Sequence, residues 1–152
     1  MARGSYKTGE VTAKHLEQNV APLHPDVVVI ALSLGSEGLP GTQTEAAAQR
    51  ICDTFMEGIR ELVNSTVAIG ASPVVCECYP HGAFNAMHYG ALKTVNRRLG
   101  ALGVPILPML AAVDDGAGRW KEGLSHDAEH PNAAGHYTIF RDLGHSIAEI
   151  FS

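Results

Sequence analysis

Cysteine is scarce in this chain and does not pair by pattern. Cys52, Cys76 and Cys78 are the only three among 152 residues, and two of them form a C-x-C inside an apparent strand, where a local bridge is geometrically poor. No disulfide framework or zinc motif follows, and the three read as small buried hydrophobes. No run approaches the roughly 18 to 20 apolar residues that cross a membrane. Basic charge is also short: 11 Lys plus Arg stand against 16 Asp plus Glu, a formal net charge of -5. Nucleic acid and anionic membranes both need a basic face, so neither is an expected partner. What remains is a small, neutral molecule. Repeats, low-complexity tracts and linkers are missing as well, so residues 1–152 are expected to form a single domain, long enough to bury about two thirds of the unfolded surface.

What is present alternates between two periods. Val11 to Leu23 has the spacing of a short amphipathic helix closed by Pro22 and Pro25. Val27 to Leu34 is a continuous apolar run rich in β-branched residues, as expected for a parallel strand covered on both faces. Thr42 with Glu45 makes a capping-box pattern, and Ile51, Phe55, Ile59 and Leu62 mark one face of the long helix that follows. Pro73 to Tyr79 reads as a second buried strand. A helix then carries Leu92, Val95, Leu99 and Leu102 toward the core and stops at Gly103. In Val104 to Leu110, Pro105 and Pro108 predict an edge strand. The segment from Asp114 to Trp120 is too rich in glycine and charge to be regular, and a last helix shows Ile139, Leu143, Ile147 and Ile150 on one side. Strand–helix alternation of this kind predicts an α/β three-layer sandwich with a parallel sheet and functional groups at the carboxyl ends of the strands.

The chemistry is most legible between Ser125 and His136. His130 precedes Pro131, whose ring disfavours the helical region for the residue before it, so Asp127 to His130 should be loop. Asn132 is then a natural N-cap for the last helix. In such a loop the Asp127 carboxylate can fold back onto Nδ1 of His130, which fixes the tautomer and leaves Nε2 free to accept a proton from a nucleophile. The competing reading of the same quartet is an ordinary helix-entry cap or dipole partner.

The full stretch, D-x-x-H-P-N-x-x-G-H, resembles the final signature block of the SGNH (GDSL-type) esterases, serine hydrolases with a flavodoxin-like sheet. Two weaker blocks agree in order and spacing. R-G-S-Y-K-T-G-E-V-T-A, from Arg3 to Ala13, looks like the family's glycine loop, and P-D-V-V-V-I-A-L-S-L-G-S-E-G-L, from Pro25 to Leu39, sits where the family has a strand followed by G-x-N-D. The resemblance implies a carboxylic-ester hydrolase working through an acyl-enzyme, on an acetyl or short acyl ester, plausibly on a carbohydrate. Asp127 and His130 would be its acid and base, with no cofactor and no metal. Glu37 and Trp120 are candidates to line the substrate cleft, Trp120 reading equally as a lid over the last helix.

Departures from the pattern set further expectations. The family's G-D-S serine has no counterpart here. The resemblance therefore implies a domain lacking its amino-terminal quarter, with the nucleophile upstream of Met1. Any secretion signal would be there too, so localisation stays open although no signal peptide is visible. The oxyanion-hole asparagine is also replaced: one register puts Glu37 there, the preferred one puts Ser36, helped by the Gly4 amide. Ser36 is the internal nucleophile candidate, though L-G-S-E-G lacks the first glycine of a nucleophile elbow; Ser5 and Ser125 are weaker. His81 and Tyr79 are lesser cleft candidates. The His126/His130 spacing lacks the glutamate and the helix of a zinc peptidase. Without the family's first strands, the strand at Val27 would be an exposed edge that invites aggregation or a homodimer. The rival function is an SGNH-like remnant that binds or assembles without catalysis. A nucleotide-binding domain is disfavoured because Gly35-Ser36-Glu37-Gly38 does not make G-x-G-x-x-G.

Overall fold

A computed structural model of the chain describes residues 7–11 and 13–150. Three parallel strands lie in the order β1-β2-β3, where β1 is Val27–Ile30, β2 is Ser72–Cys76 and β3 is Ile106–Leu107. Five helices surround them: α1 (Ala13–Asn19), α2 (Glu45–Ala68), α3 (Ala86–Gly100), α4 (Leu110–Val113) and α5 (Ala133–Ile150). Successive side chains of a strand point to opposite faces, and β2 shows the result. Val75 joins α1, α2 and α3 in one core with Phe55, Met56, Ile59, Leu92, Val95 and Leu99. Val74 and Cys76 join Leu143 of α5 in another, with Ile139 and Ile147 packed against it. Each fully buried Leu, Ile or Phe contributes roughly 1.5–3 kcal/mol relative to exposure, so the two cores hold the helices as outer layers on the sheet. The architecture is the expected three-layer α/β sandwich.

Strand lengths differ from the sequence expectation. Hydrophobic runs predicted strands reaching Leu34 and Tyr79, yet pairing stops at Ile30 and Cys76. Beyond those points the chain leaves the sheet, yet Leu34 and Cys78 are completely buried, so apolar character continues without a ladder. The β2 extension is held by a side chain instead: Cys78 N–H donates to Asn96 Oδ1 at 2.8 Å, and Asn96 Nδ2 donates to the Cys78 carbonyl at 3.0 Å. Glu77 accepts the Leu110 N–H at 3.0 Å, tying the exit of β3 to that of β2.

One helix start differs from the sequence expectation. The cap of α2 is Thr44, which accepts from Ala47 N, rather than Thr42; Leu39–Gly41 form a 3-10 turn, and Thr42 Oγ1 donates back to the Leu39 carbonyl at 2.9 Å. In α3 the capping box uses Asn85 and the His88 ring. The short α4 interrupts what the sequence shows only as the end of an apolar run. β3 is an edge strand, as its prolines predict. β1 forms the opposite edge, with Val29 51% exposed. Among the described residues, no helix is long and apolar enough to cross a membrane.

Candidate functional site

Three loops meet at the carboxyl ends of the strands. The loop after β1 brings Ser33, Gly35, Ser36 and Glu37; the loop after β2 brings Tyr79 and His81; the third runs from Leu124 to Asn132 into α5. Main-chain bonds join the second and third, Gly82 N–H to the Ala128 carbonyl at 2.8 Å. Trp120 Nε1 donates to the same carbonyl at 3.0 Å. Trp120 is buried, its ring 5.5 Å from Tyr79, and it packs in a cluster with Ala112, Val113 and Ile139 of α5. It therefore braces the third loop from below.

Within that loop the Asp127 carboxylate is fully committed. Its Oδ1 accepts the backbone N–H groups of Glu129 (2.7 Å) and His130 (2.8 Å), and its Oδ2 lies 2.9 Å from His130 Nδ1. The His130 hydrogen bond and the two amide donors favour the ionised form and hold the Asp127 carboxyl at about 2. Facing an ionised carboxylate, Nδ1 must carry the proton, so in the neutral ring Nε2 is the basic nitrogen. Both side chains are about half exposed.

The loop is shaped by Asn132 and Gly135. Asn132 Oδ1 caps α5 by accepting from Gly135 N at 3.0 Å, while its Nδ2 donates to the carbonyls of Gly123 (2.8 Å) and Ser125 (3.2 Å). One amide thus closes the loop and starts the helix. Gly135 is buried with its α-carbon against the Leu124 carbonyl, and a methyl there would overlap that oxygen and sit 2.9 Å from Pro131 Cβ. The P-N-x-x-G pattern is therefore a packing requirement of this turn. His126 is exposed, and its N–H closes the loop onto the His130 carbonyl at 2.9 Å.

The other candidates are placed as follows. Ser36 is half-buried; its Oγ is 3.3 Å from Ser33 Oγ, which also accepts the Ser36 N–H. Glu37 is only 8% exposed and its carboxylate accepts the Thr8 N–H at 2.6 Å, tying the β1 loop to the segment before α1. Gly4 and Ser5 lie outside the described residues. Ser125 pairs across the loop with Pro131. Among the described residues no cluster of three His, Cys, Asp or Glu side chains is placed to hold a metal ion.

His81 is more central than the sequence suggests. It is 6% exposed, stacked on Phe84 at 5.2 Å, and its ring fills the space beside Gly35: a Cβ on Gly35 would stand 2.7 Å from His81 Cδ2. Burial pushes the His81 imidazole below its ordinary value, against the pull of the Glu129 carboxylate. The signal in the sequence was the P-H-G following a buried strand; what could not be read was that this strand leaves the sheet early and turns the ring toward the β1 loop.

Sequence and structure comparisons agree with this fold. The model of a GDSL-like lipase/acylhydrolase family matches residues 1–137. No curated protein sequence matches the chain. A candidate acylhydrolase from Bacteroides fragilis superposes with TM-score 0.75 at 17% identity, covering 98% of this chain and 73% of its own. A GDSL-like lipase from Bacteroides thetaiotaomicron gives 0.71 at 16%, covering 95% and 72%. An acetylxylan esterase from Geobacillus stearothermophilus gives 0.67 at 16%, covering 94% and 68%. At such identities the likeness carries the fold.

Proposed function

The chain belongs to the GDSL-like lipase/acylhydrolase family, and from that premise we propose that it is the base-bearing part of a serine ester hydrolase acting through an acyl-enzyme. The observation that carries the proposal is the Asp127–His130 pair, 2.9 Å apart at the strand ends with Nε2 unbonded among the described residues. Asp127 holds the tautomer and stabilises the imidazolium. His130 Nε2 takes the proton of a serine hydroxyl as its oxygen bonds to the ester carbon, then returns that proton to the departing alkoxide as the ester C–O bond breaks. A water molecule repeats the sequence to release the acid. The serine belongs to a G-D-S block outside the 152 residues, with Ser36 as the internal alternative. An acetyl or short acyl ester on a carbohydrate is the substrate class we favour, supported by the shared fold with an acetylxylan esterase. The domain is single, and the open edge of β1 is its route to a homodimer.

The test is hydrolysis of p-nitrophenyl acetate by the full-length protein and by His130→Ala. Loss of turnover in the variant is expected; undiminished turnover refutes the assignment. A second reading is favoured by one observation, that no G-D-S occurs in residues 1–152: a binding or assembly module that kept the fold and lost the reaction. Labelling of the full-length protein by a fluorophosphonate decides between them, since a module without an activated serine stays unlabelled.

A further inference from the structure

The buried imidazole of His81 is not explained by packing alone. Its Nδ1 accepts the Ala83 N–H at 3.0 Å, so in the neutral ring the proton sits on Nε2. Its Nε2 faces Glu129 Oε1 at 3.7 Å, beyond direct hydrogen-bonding reach. Glu129 is itself half exposed, so the pair is weak as a structural tie. Nε2 therefore lies between Gly35, in the loop after β1, and Glu129, the residue before His130, engaged only by that weak contact and open to a ligand.

We propose that His81 is a further catalytic group of this site, its Nε2–H donating a hydrogen bond to the carbonyl oxygen of the ester as that oxygen becomes an oxyanion. The inference rests on the esterase reading above. When the nucleophile's oxygen bonds to the carbonyl carbon, the C=O π pair moves onto oxygen and the His81 N–H receives it; when the alcohol leaves, the π bond re-forms. The proton stays on His81 throughout. A donor is useful here only if it is fixed in advance and aimed at the developing charge. His81 meets the first condition through four contacts: the Ala83 amide on Nδ1, the Phe84 ring on its face, Gly35 against its edge, and its backbone amide donating to the Gly118 carbonyl at 3.1 Å. It meets the second by sharing a wall with His130, because the Gly82 amide and the Ala128 carbonyl bind their two loops together. A neutral imidazole can act as such a donor. Gly35 is then glycine because the ring of His81 needs its place.

The test compares His81→Phe, His81→Gln and Glu129→Gln in the full-length protein with p-nitrophenyl acetate, beside His130→Ala. Phenylalanine fills the ring's volume without a donor, and kcat should fall about 100- to 1,000-fold with KM nearly unchanged. Glutamine places an amide N–H near the position of Nε2 and should recover roughly tenfold or more of that loss. Glu129→Gln should leave kcat within about threefold of the parent. The proposal is overturned if His81→Phe keeps parental kcat, if only KM moves, or if Glu129→Gln reproduces the loss, which would make His81 a tether for Glu129. Should His81→Phe not fold, His81→Gln and His81→Asn decide: asparagine reaches only the Nδ1 position, so equal activity in the two overturns the proposal. If His130→Ala retains full turnover, the esterase reading fails instead and this inference falls with it.

Discussion

Replacing Asp127 with asparagine isolates the charge of the pair from its shape. The asparagine oxygen can keep the acceptor role of Oδ1 toward the Glu129 and His130 amides, at 2.7 and 2.8 Å in the parent. The position of Oδ2, 2.9 Å from His130 Nδ1, then holds an NH2 group, a donor facing a donor. The imidazole resolves the conflict by moving its proton to Nε2, so that Nδ1 accepts and the nitrogen facing the nucleophile can no longer act as base. The loop keeps its fold and the site loses its function. In a buried triad the same exchange costs about 10,000-fold in kcat. Here both side chains are half exposed, water can support part of the parent tautomer, and we expect roughly 100- to 10,000-fold. Turnover of p-nitrophenyl acetate measures the kinetic effect in the full-length protein. The tautomer is read directly from ring nitrogen shifts by NMR on residues 1–152, whatever their activity. If His130 in Asp127→Asn keeps its proton on Nδ1, the reasoning is wrong.

The same carboxyl predicts a pH dependence. Its folded value, near 2, lies below the ordinary 3.8, so its contribution to loop order is complete above 3.8 and is lost as pH falls through about 2; amide shifts of Glu129 and His130 should titrate with that low midpoint, and a midpoint near 4 would contradict the bonding described. Gly135→Ala should destabilise the fold by about 1–3 kcal/mol in urea denaturation, because neither Pro131 nor the Leu124 backbone can retreat from the methyl. Asn132→Ala should cost about 1–2 kcal/mol, mainly through the lost helix cap, and should speed hydrogen exchange of the Gly135 amide. Burial raises all three thiols, Cys76 to about 11, so the native chain at pH 8 should resist a disulfide reagent that titrates three thiols in urea.

Much of the architecture was legible because its signal is burial. The apolar run at Val74 marks a strand covered on both faces, the run at Val27 marks a strand although Val29 is 51% exposed, and the stripe from Ile51 to Leu62 marks a helix with one dry side. Strand ends were not legible for the same reason: Leu34 and Cys78 are completely buried outside the ladder, and hydrophobicity cannot tell a paired residue from an unpaired one sunk beside it. The Asp127–His130 contact was legible because proline chemistry and a cap confine it to one short loop. Ser36, Glu37 and His81 were harder. Their roles depend on contacts across long sequence separations, such as Glu37 with Thr8 and Gly35 with His81, which no local pattern encodes.

This division of labour bears on why the acid–base pair is so well formed. Nothing that holds Asp127 against His130 requires a nucleophile: the carboxylate is aimed by two amides of its own loop, the loop is closed by Asn132, and its outer turn is pinned to the β2 exit and Trp120 through the Ala128 carbonyl. An acid–base pair built this way is paid for by local backbone chemistry and exists before any substrate or hydroxyl arrives. Retention of that geometry is therefore weak evidence between an enzyme and a module that has lost its reaction, because the loop would persist in either. The His81 imidazole discriminates better, since another ring could fill its place between Phe84 and Gly35 while only the reaction proposed above needs its Nε2–H. A module under no demand for catalysis should lose it to phenylalanine or leucine without penalty. The stability of His81→Phe relative to the parent consequently carries weight of its own: a gain in stability joined to a loss of turnover is the signature of a group kept for chemistry.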